Sequence, residues 1–239
     1  MNNIISLSDS EISELQTASA ETLLRFALER FQPRIAVATS LQDAVLIHLA
    51  AQVHPDVRVF TIDTGRLPEE SYDCAERITR RLGVKIEWFF PHHADVEQLV
   101  AENGPYSFRE SLDARRSCCA IRKVEPLQRA LSGLDGWITG QRRTESVTRG
   151  EVTKVERDEA HGGIWKFNPL ADWSDADVRD YIKRYDLPYN KLLDRGYSSV
   201  GCACCSRPVM EGEDARAGRW WWESAEHKEC GLHTRNWQI

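Results

Sequence analysis

Apolar and polar positions fall in short blocks along this chain, and the blocks switch period. Ser8-Asp9-Ser10-Glu11 has the form of a helix capping box. Ile12, Leu15, Leu23, Leu24, Ala27 and Leu28 follow at mostly helical spacing, which predicts helix over residues 9–31 in two pieces. The β-branched run at 34–39 predicts a buried strand, Ser40-Leu-Gln-Asp43 a polar break, and residues 44–53 a helix. A second strand is expected at 57–62, ending at Asp63-Thr64-Gly65, and an amphipathic helix at 69–82, stopped by Gly83. A third strand at 85–90, helices at 94–102 and 118–131, and a fourth strand at 136–140 complete the regular part. Beyond it, 141–163 is polar and charged, and Ser174 caps a helix running to about residue 185.

Strands and helices alternating at short spacing predict an α/β fold: a parallel twisted sheet with helices on both faces. Ligands of such sheets bind beyond the carboxyl ends of the strands. The Ser40, Asp63 and Gly140 loops all fall there.

Composition narrows the class. The 239 residues carry 31 Lys and Arg against 37 Asp and Glu, a net charge of −6 that provides no overall basic field for nucleic acid. No apolar stretch approaches the roughly 18 residues of a membrane helix, and the first residues lack a basic segment followed by an apolar run. A cytoplasmic protein with neither membrane nor nucleic-acid partner is expected. The seven cysteines are an odd number, which argues against a disulfide framework and for metal or redox chemistry.

Six of those cysteines fall in or beside candidate sites. Cys118 and Cys119 are adjacent, with Cα atoms about 3.8 Å apart. Cys202-Ala-Cys204-Cys205 contains a C-x-x-C pair. Thiolates at these spacings suit an iron–sulfur cluster or a closed zinc site. Cys230, near Lys228 and His233, is a candidate low-pKa nucleophile, with Glu229 working against it. Lys123, Arg142, Arg143, Arg207, Arg216 and Arg219 suit phosphate and sulfate oxygens. Thr39-Ser-Leu-Gln-Asp43 offers N–H groups to an anion at a helix N-terminus, without Walker glycines. The Trp220-Trp221-Trp222 run reads as packing, and His48, His92 and His93 as structural or exposed.

Together these residues resemble the adenylyl-sulfate (APS) and phosphoadenylyl-sulfate (PAPS) reductase family of the PP-loop superfamily. The resemblance runs from about residue 34 to His233. It rests on Ser40-Leu-Gln-Asp43, Ile62-Asp-Thr-Gly65, Cys118-Cys-Ala-Ile-Arg-Lys123-Val-Glu-Pro-Leu127, Thr139-Gly-Gln-Arg-Arg143 and Asn168-Pro-Leu170. Gly201-Cys-x-x-Cys205, Gly218-Arg-Trp220 and Glu229-Cys-Gly-Leu-His233 complete it, and the cysteine motifs with that tail are its most specific part. One departure is visible: Cys204 stands where the family commonly has proline.

The resemblance implies a PP-loop, adenine nucleotide hydrolase-like fold with a mobile C-terminal tail. It implies a [4Fe–4S] cluster on Cys118, Cys119, Cys202 and Cys205, and Cys230 as the catalytic nucleophile. Substrate would be bound by Ser40, Gln42, Asp43, Asp63, Lys123, Gly140, Arg142, Arg143, Arg216, Arg219 and His233. The implied reaction is assimilatory reduction of APS to sulfite and AMP through a Cys S-sulfo intermediate, with thioredoxin or glutaredoxin as reductant and a homo-oligomer as the assembly. Residues 1–33 would form a helical region, 34–210 the nucleotide-binding domain with the iron–sulfur site, and 211–239 the catalytic tail. A PAPS or dual-substrate reductase is the near alternative. A tRNA-thiolating PP-loop enzyme and a zinc-dependent interaction module are the distant ones.

Overall fold

The computed structural model describes residues 5–146 and 149–224, with residues 228 and 232. Cys230, His233 and the expected mobility of the tail lie outside the described residues. Helices α1 (Asp9–Thr17) and α2 (Ala20–Phe31) are the two pieces expected at the start of the chain. The Ser8–Glu11 capping box opens the first: the Glu11 carboxylate accepts from the Ser8 N–H at 2.7 Å. Ser19 caps the second and accepts from the Thr22 N–H.

Strands β1 (Ile35–Ala38), β2 (Val59–Ile62), β3 (Ile86–Phe89) and β4 (Gly136–Ile138) lie where the apolar runs predict. Between them come α3 (Val45–Val53), α4 (Glu69–Leu82), α5 (His93–Asn103), α6 (Leu112–Cys119) and α7 (Glu125–Leu131). Gly83 ends α4 with φ of +70°, the left-handed conformation that glycine adopts without a Cβ penalty. Helix α8 (Asp175–Tyr185) starts at a capping box between Ser174 and Asp177.

The sheet corrects the expectation in two ways. Two strands are absent from the expectation: β5 (Val155–Asp158) lies within the stretch that reads as polar and β6 (Ile164–Phe167) directly after it, and β5 runs antiparallel at the edge of an otherwise parallel sheet. The polar reading has a local cause. Glu156 sits opposite Lys166, and the two form a 3.0 Å ion pair across the strands. The order is β3-β2-β1-β4-β6-β5.

Side chains alternate between the faces of the sheet, as the pleat requires. Ile35, Val37, Val59 and Ile138 pack with α1 to α4 and α8 in one core. Ala36, Phe60 and Trp137 pack with Leu127, Ala130 and Leu131 of α7 on the other face. The N-terminal helices thus share the core of the sheet. Among the described residues no helix is long and apolar enough to cross a membrane.

The helix expected at 118–131 begins earlier, at Ser111, whose side chain accepts from the Ala114 N–H. It also opens into a π turn at Ala120–Val124 before α7. Pro126, at the start of α7, has no N–H to give, and its ring crowds the preceding turn. The wide turn carries Arg122 and Lys123 and follows directly on Cys118 and Cys119. Single π turns of this kind are frequent at functional sites.

Candidate active site

After β1 the chain builds β2 and β3 on one side, then crosses to lay β4 on the other side of β1. The strand order therefore switches between β1 and β4, and a crevice opens at their carboxyl ends. A cavity of about 240 Å³ lies there. Thr39, Ser40, Gln42 and Asp43 line it after β1, Thr64 after β2, and Thr139 to Arg142 after β4.

The loop after β1 is held by its own polar groups. Leu41 adopts φ of +58° and is fully buried, and its N–H bonds the Thr39 hydroxyl at 3.1 Å. The Asp43 carboxylate accepts from the Val45 N–H at 3.0 Å at the start of α3. Burial pushes the Asp43 carboxyl pKa up, against the opposing pull of that bond and of Arg142. Gln42 accepts from the Val200 N–H, tying this loop to the segment that leads into Cys202.

Besides Arg142 and Arg149, three cations line the same cavity: Lys123 from the π turn, and Arg216 and Arg219 from the last loop. All three are buried. Their common support is Trp220, a fully buried indole with φ of +40°. The Arg219 and Arg115 guanidinium carbons lie 4.7 Å from its ring centre, Lys123 Nζ 5.5 Å and the Arg216 guanidinium 5.9 Å. Arg219 also donates to the Ser199 hydroxyl, while its Nε has no partner. Gly201 makes room for it, because a Cβ at this position would fall inside the Arg219 guanidinium. Arg216 donates to the Lys228 carbonyl at 2.8 Å.

A second, smaller cavity adjoins the first. Cys118, Cys119, Cys202, Cys204 and Cys205 line it, with Arg66, Phe108, Arg115, Arg122, Lys123 and Trp220. Lys123 and Cys202 line both cavities. The Cys202 thiol is pulled well down by a hydrogen bond from Cys205, against its burial, and further by Lys123, Thr64 and Arg219. Cys205 is pushed up by its hydrogen bonds with Cys202 and Cys204 and by burial. Cys204 is pulled down to about 6 by Cys205 and Arg66. Burial pushes Cys118 up, against the field of Arg66, Arg122 and Lys123. Among the described residues no three His, Cys, Asp or Glu side chains are grouped closely enough to hold a single metal ion.

Of the residues expected at the site, Ser40, Gln42, Asp43, Lys123, Gly140, Arg142, Arg216 and Arg219 line the larger cavity. Two others do not. Asp63 is buried beside it, accepting from the Gly65 N–H at 2.7 Å and the Tyr72 hydroxyl at 2.9 Å, so it shapes the turn after β2. Arg143 points away and donates to the Val152 carbonyl at 2.8 Å. Arg142 is already neutralised by Asp175 at 2.7 Å and Glu145 at 3.5 Å. Glu145 also pairs with Arg149, another cavity residue.

Sequence reasoning passes over Thr64, whose hydroxyl lies 3.2 Å from the Cys202 thiol, and Arg115, whose ion pair with Glu223 is buried. Thr64 stands inside the Ile62–Gly65 motif but carries no charge or thiol to mark it, and Arg115 belongs to no local pattern. Trp220 does pack, as expected, but what it packs against is the cation set. His48 bonds the Tyr181 hydroxyl, and exposed His92 pairs with Glu125, both structural as read from the sequence.

Known proteins share this arrangement of chain. The phosphoadenosine phosphosulfate reductase domain matches residues 32–208. The adenosine 5′-phosphosulfate reductase of Burkholderia cepacia is 49% identical over 200 residues, covering 84% of this chain and 80% of that protein. The Allochromatium vinosum enzyme of the same name is 43% identical, covering 96% and 90%. Among solved structures, phosphoadenylyl-sulfate reductase from Candida auris, determined as a phosphate complex, superposes with a TM-score of 0.71 at 28% identity, covering 86% of this chain and 99% of that one. The crevice, the cysteine pairs beside it and this extent of identity establish that the chain belongs to the phosphoadenosine phosphosulfate reductase family.

Proposed function

We propose that this protein reduces adenosine 5′-phosphosulfate to sulfite and AMP. The observation that carries the reading is the shared wall of the two cavities. Lys123 and Cys202 line both, so a nucleotide crevice carrying the buried cations Lys123, Arg216 and Arg219 abuts a pocket of thiols. Identity of 43–49% to proteins named APS reductases supports the substrate.

The crevice suits the nucleotide part, with Ser40, Gln42, Asp43 and Gly140 at the strand ends. Lys123, Arg216 and Arg219 suit the phosphosulfate, and as charge moves onto the departing phosphate they stabilise it without reorganising. Residues 34–210 would supply the crevice and Lys123, and 211–239 would supply Arg216, Arg219 and the nucleophile. The Cys230 thiolate attacks the sulfur of the substrate and the S–O bond to phosphate breaks. AMP leaves with that electron pair, and Cys230 carries an S-sulfo group. A thiol of a dithiol protein of the thioredoxin or glutaredoxin class then attacks the Cys230 sulfur, and sulfite leaves. The second thiol resolves the mixed disulfide, returning Cys230 to its reduced form, so the dithiol supplies both electrons.

The chemistry of the smaller cavity's lining supports a [4Fe–4S] cluster as its occupant. Five thiols and no carboxylate line it, and cations surround it. Two buried donors on its wall, Trp220 Nε1 and Arg122 Nε, have no partner and suit sulfide or thiolate acceptors. Thiols spread around a cavity suit a polynuclear group better than one zinc ion. Cys118, Cys119, Cys202 and Cys205 would hold it. When bound, it supplies position and electrostatics near the reacting sulfur, since the two-electron change is carried by thiols alone.

The test is a sulfite-release assay on anaerobically prepared protein, with APS and PAPS in parallel and thioredoxin present. Sulfite and AMP are expected from APS. Cys230→Ser should bind APS without gaining the mass of a sulfonate, and a sulfonated Cys230→Ser protein would refute the nucleophile assignment.

A further inference from the structure

Cys204 has no part in that reaction, yet it lines the same cavity as the four proposed ligands. It shares the tight turn Ala203–Cys205 with Cys205, and the two sulfurs lie 3.8 Å apart. A rotamer change moves a thiol sulfur by about 3 Å, most of this separation. The turn is anchored from both sides. The Ala203 N–H donates to the Arg66 carbonyl at 2.8 Å, and the Cys205 N–H to the Cys202 carbonyl at 2.9 Å. Arg109 donates to the Cys204 carbonyl at 3.3 Å, and the Arg66 guanidinium lies 3.9 Å from the Cys204 sulfur. Cys204 is thus held at the cavity wall beside a cation. The buried, unpartnered N–H groups of Trp220 and Arg122 on the same wall point independently to a sulfur-rich occupant.

We propose that Cys204 and Cys205 are interchangeable ligands: either thiol completes the set begun by Cys118, Cys119 and Cys202. The proposal rests on the cluster reading above. Its logic is geometric. Loss of Cys205 leaves a second thiolate on the same turn, facing the same cavity. Loss of Cys202 leaves its own position empty, because Ala203 follows it and Cys204 and Cys205 share the other position.

The test uses the full chain, purified without oxygen, as Cys204→Ala, Cys205→Ala, Cys204→Ala/Cys205→Ala and Cys202→Ala. Iron, acid-labile sulfide and visible absorption are read, with circular dichroism to establish folding. Both single variants at 204 and 205 should keep more than about half of the wild-type iron and sulfide, and the double variant and Cys202→Ala less than about a tenth. Loaded wild type with Cys205→Ala as empty as the double variant overturns the proposal alone. Wild type devoid of iron and sulfide overturns the cluster reading beneath it. Should Cys205→Ala fail to fold, Cys205→Ser is scored the same way against Cys204→Ala/Cys205→Ser, which registers any ligation by serine.

Discussion

Arg115 and Glu223 form the most deeply buried ion pair described in this protein, and removing one partner should be costly. The Arg115 Nε and Nη2 atoms each donate to a different Glu223 oxygen at 2.9 Å. The side chains are only 2% and 8% exposed. The pair ties α6, which carries Cys118 and Cys119, to the chain just beyond Trp220, and Arg115 also lies against the Trp220 ring. Glu223→Gln leaves a buried guanidinium without the carboxylate that pairs with it. Breaking a buried pair from one side costs about 3–5 kcal/mol, against a total stability of roughly 5–15 kcal/mol for a domain. The assay is urea unfolding followed by far-ultraviolet circular dichroism for wild type, Arg115→Met, Glu223→Gln and the double variant. The double variant should lose less than the sum of the singles, because it strands no charge. The pair Arg207–Glu213, about a third exposed, is the internal contrast and should matter far less. A Glu223→Gln loss below about 1 kcal/mol, the range of an exposed pair, would refute the reasoning.

Gly218→Ala should destabilise by about 1–3 kcal/mol and loosen the pairing of Ser206 with Arg219, because its Cβ would meet the Arg207 carbonyl oxygen; a melting temperature equal to wild type would refute this. Lys123→Met should weaken APS binding about 10- to 150-fold, the equivalent of losing one charge-assisted bond of roughly 1.5–3 kcal/mol; titration calorimetry on Cys230→Ser protein measures it, and a change under about twofold would count against Lys123 as a substrate contact. Burial pushes the Cys74 thiol up to about 12, so the folded chain keeps a proton that the unfolded chain releases above about pH 9. Stability should therefore fall by about 1.4 kcal/mol per pH unit between those values. Cys74→Ala should lack that slope, and a variant with the same slope would rule out Cys74 as its source.

Local chemistry made much of this protein legible before its structure. The caps at Ser8 and Ser174 and the stop at Gly83 are short-range events, decided within four residues, and they stand where expected. So do β1 to β4, whose apolar runs are buried, fully in β4 and nearly so in β1 and β2. The cysteine pairs and the Arg216–Arg219 segment were visible for the same reason: each motif is contiguous. Strands β5 and β6 were not, because the Glu156–Lys166 pair makes sense only across a register that sequence does not display.

The site itself was decided by distance in space. Arg142 and Arg219 are the same residue type, yet one is neutralised by Asp175 and Glu145 while the other keeps an unpartnered Nε beside Trp220. Asp63 and Arg143 belong to promising motifs but turn their side chains to neighbouring loops. The chain by itself determined the inventory of thiols and cations and the order of strands along it. Only the tertiary structure decided which of them share a cavity. Burial and charge pairing are set by partners tens of residues away, and those partners meet only when the sheet closes its switch point between β1 and β4.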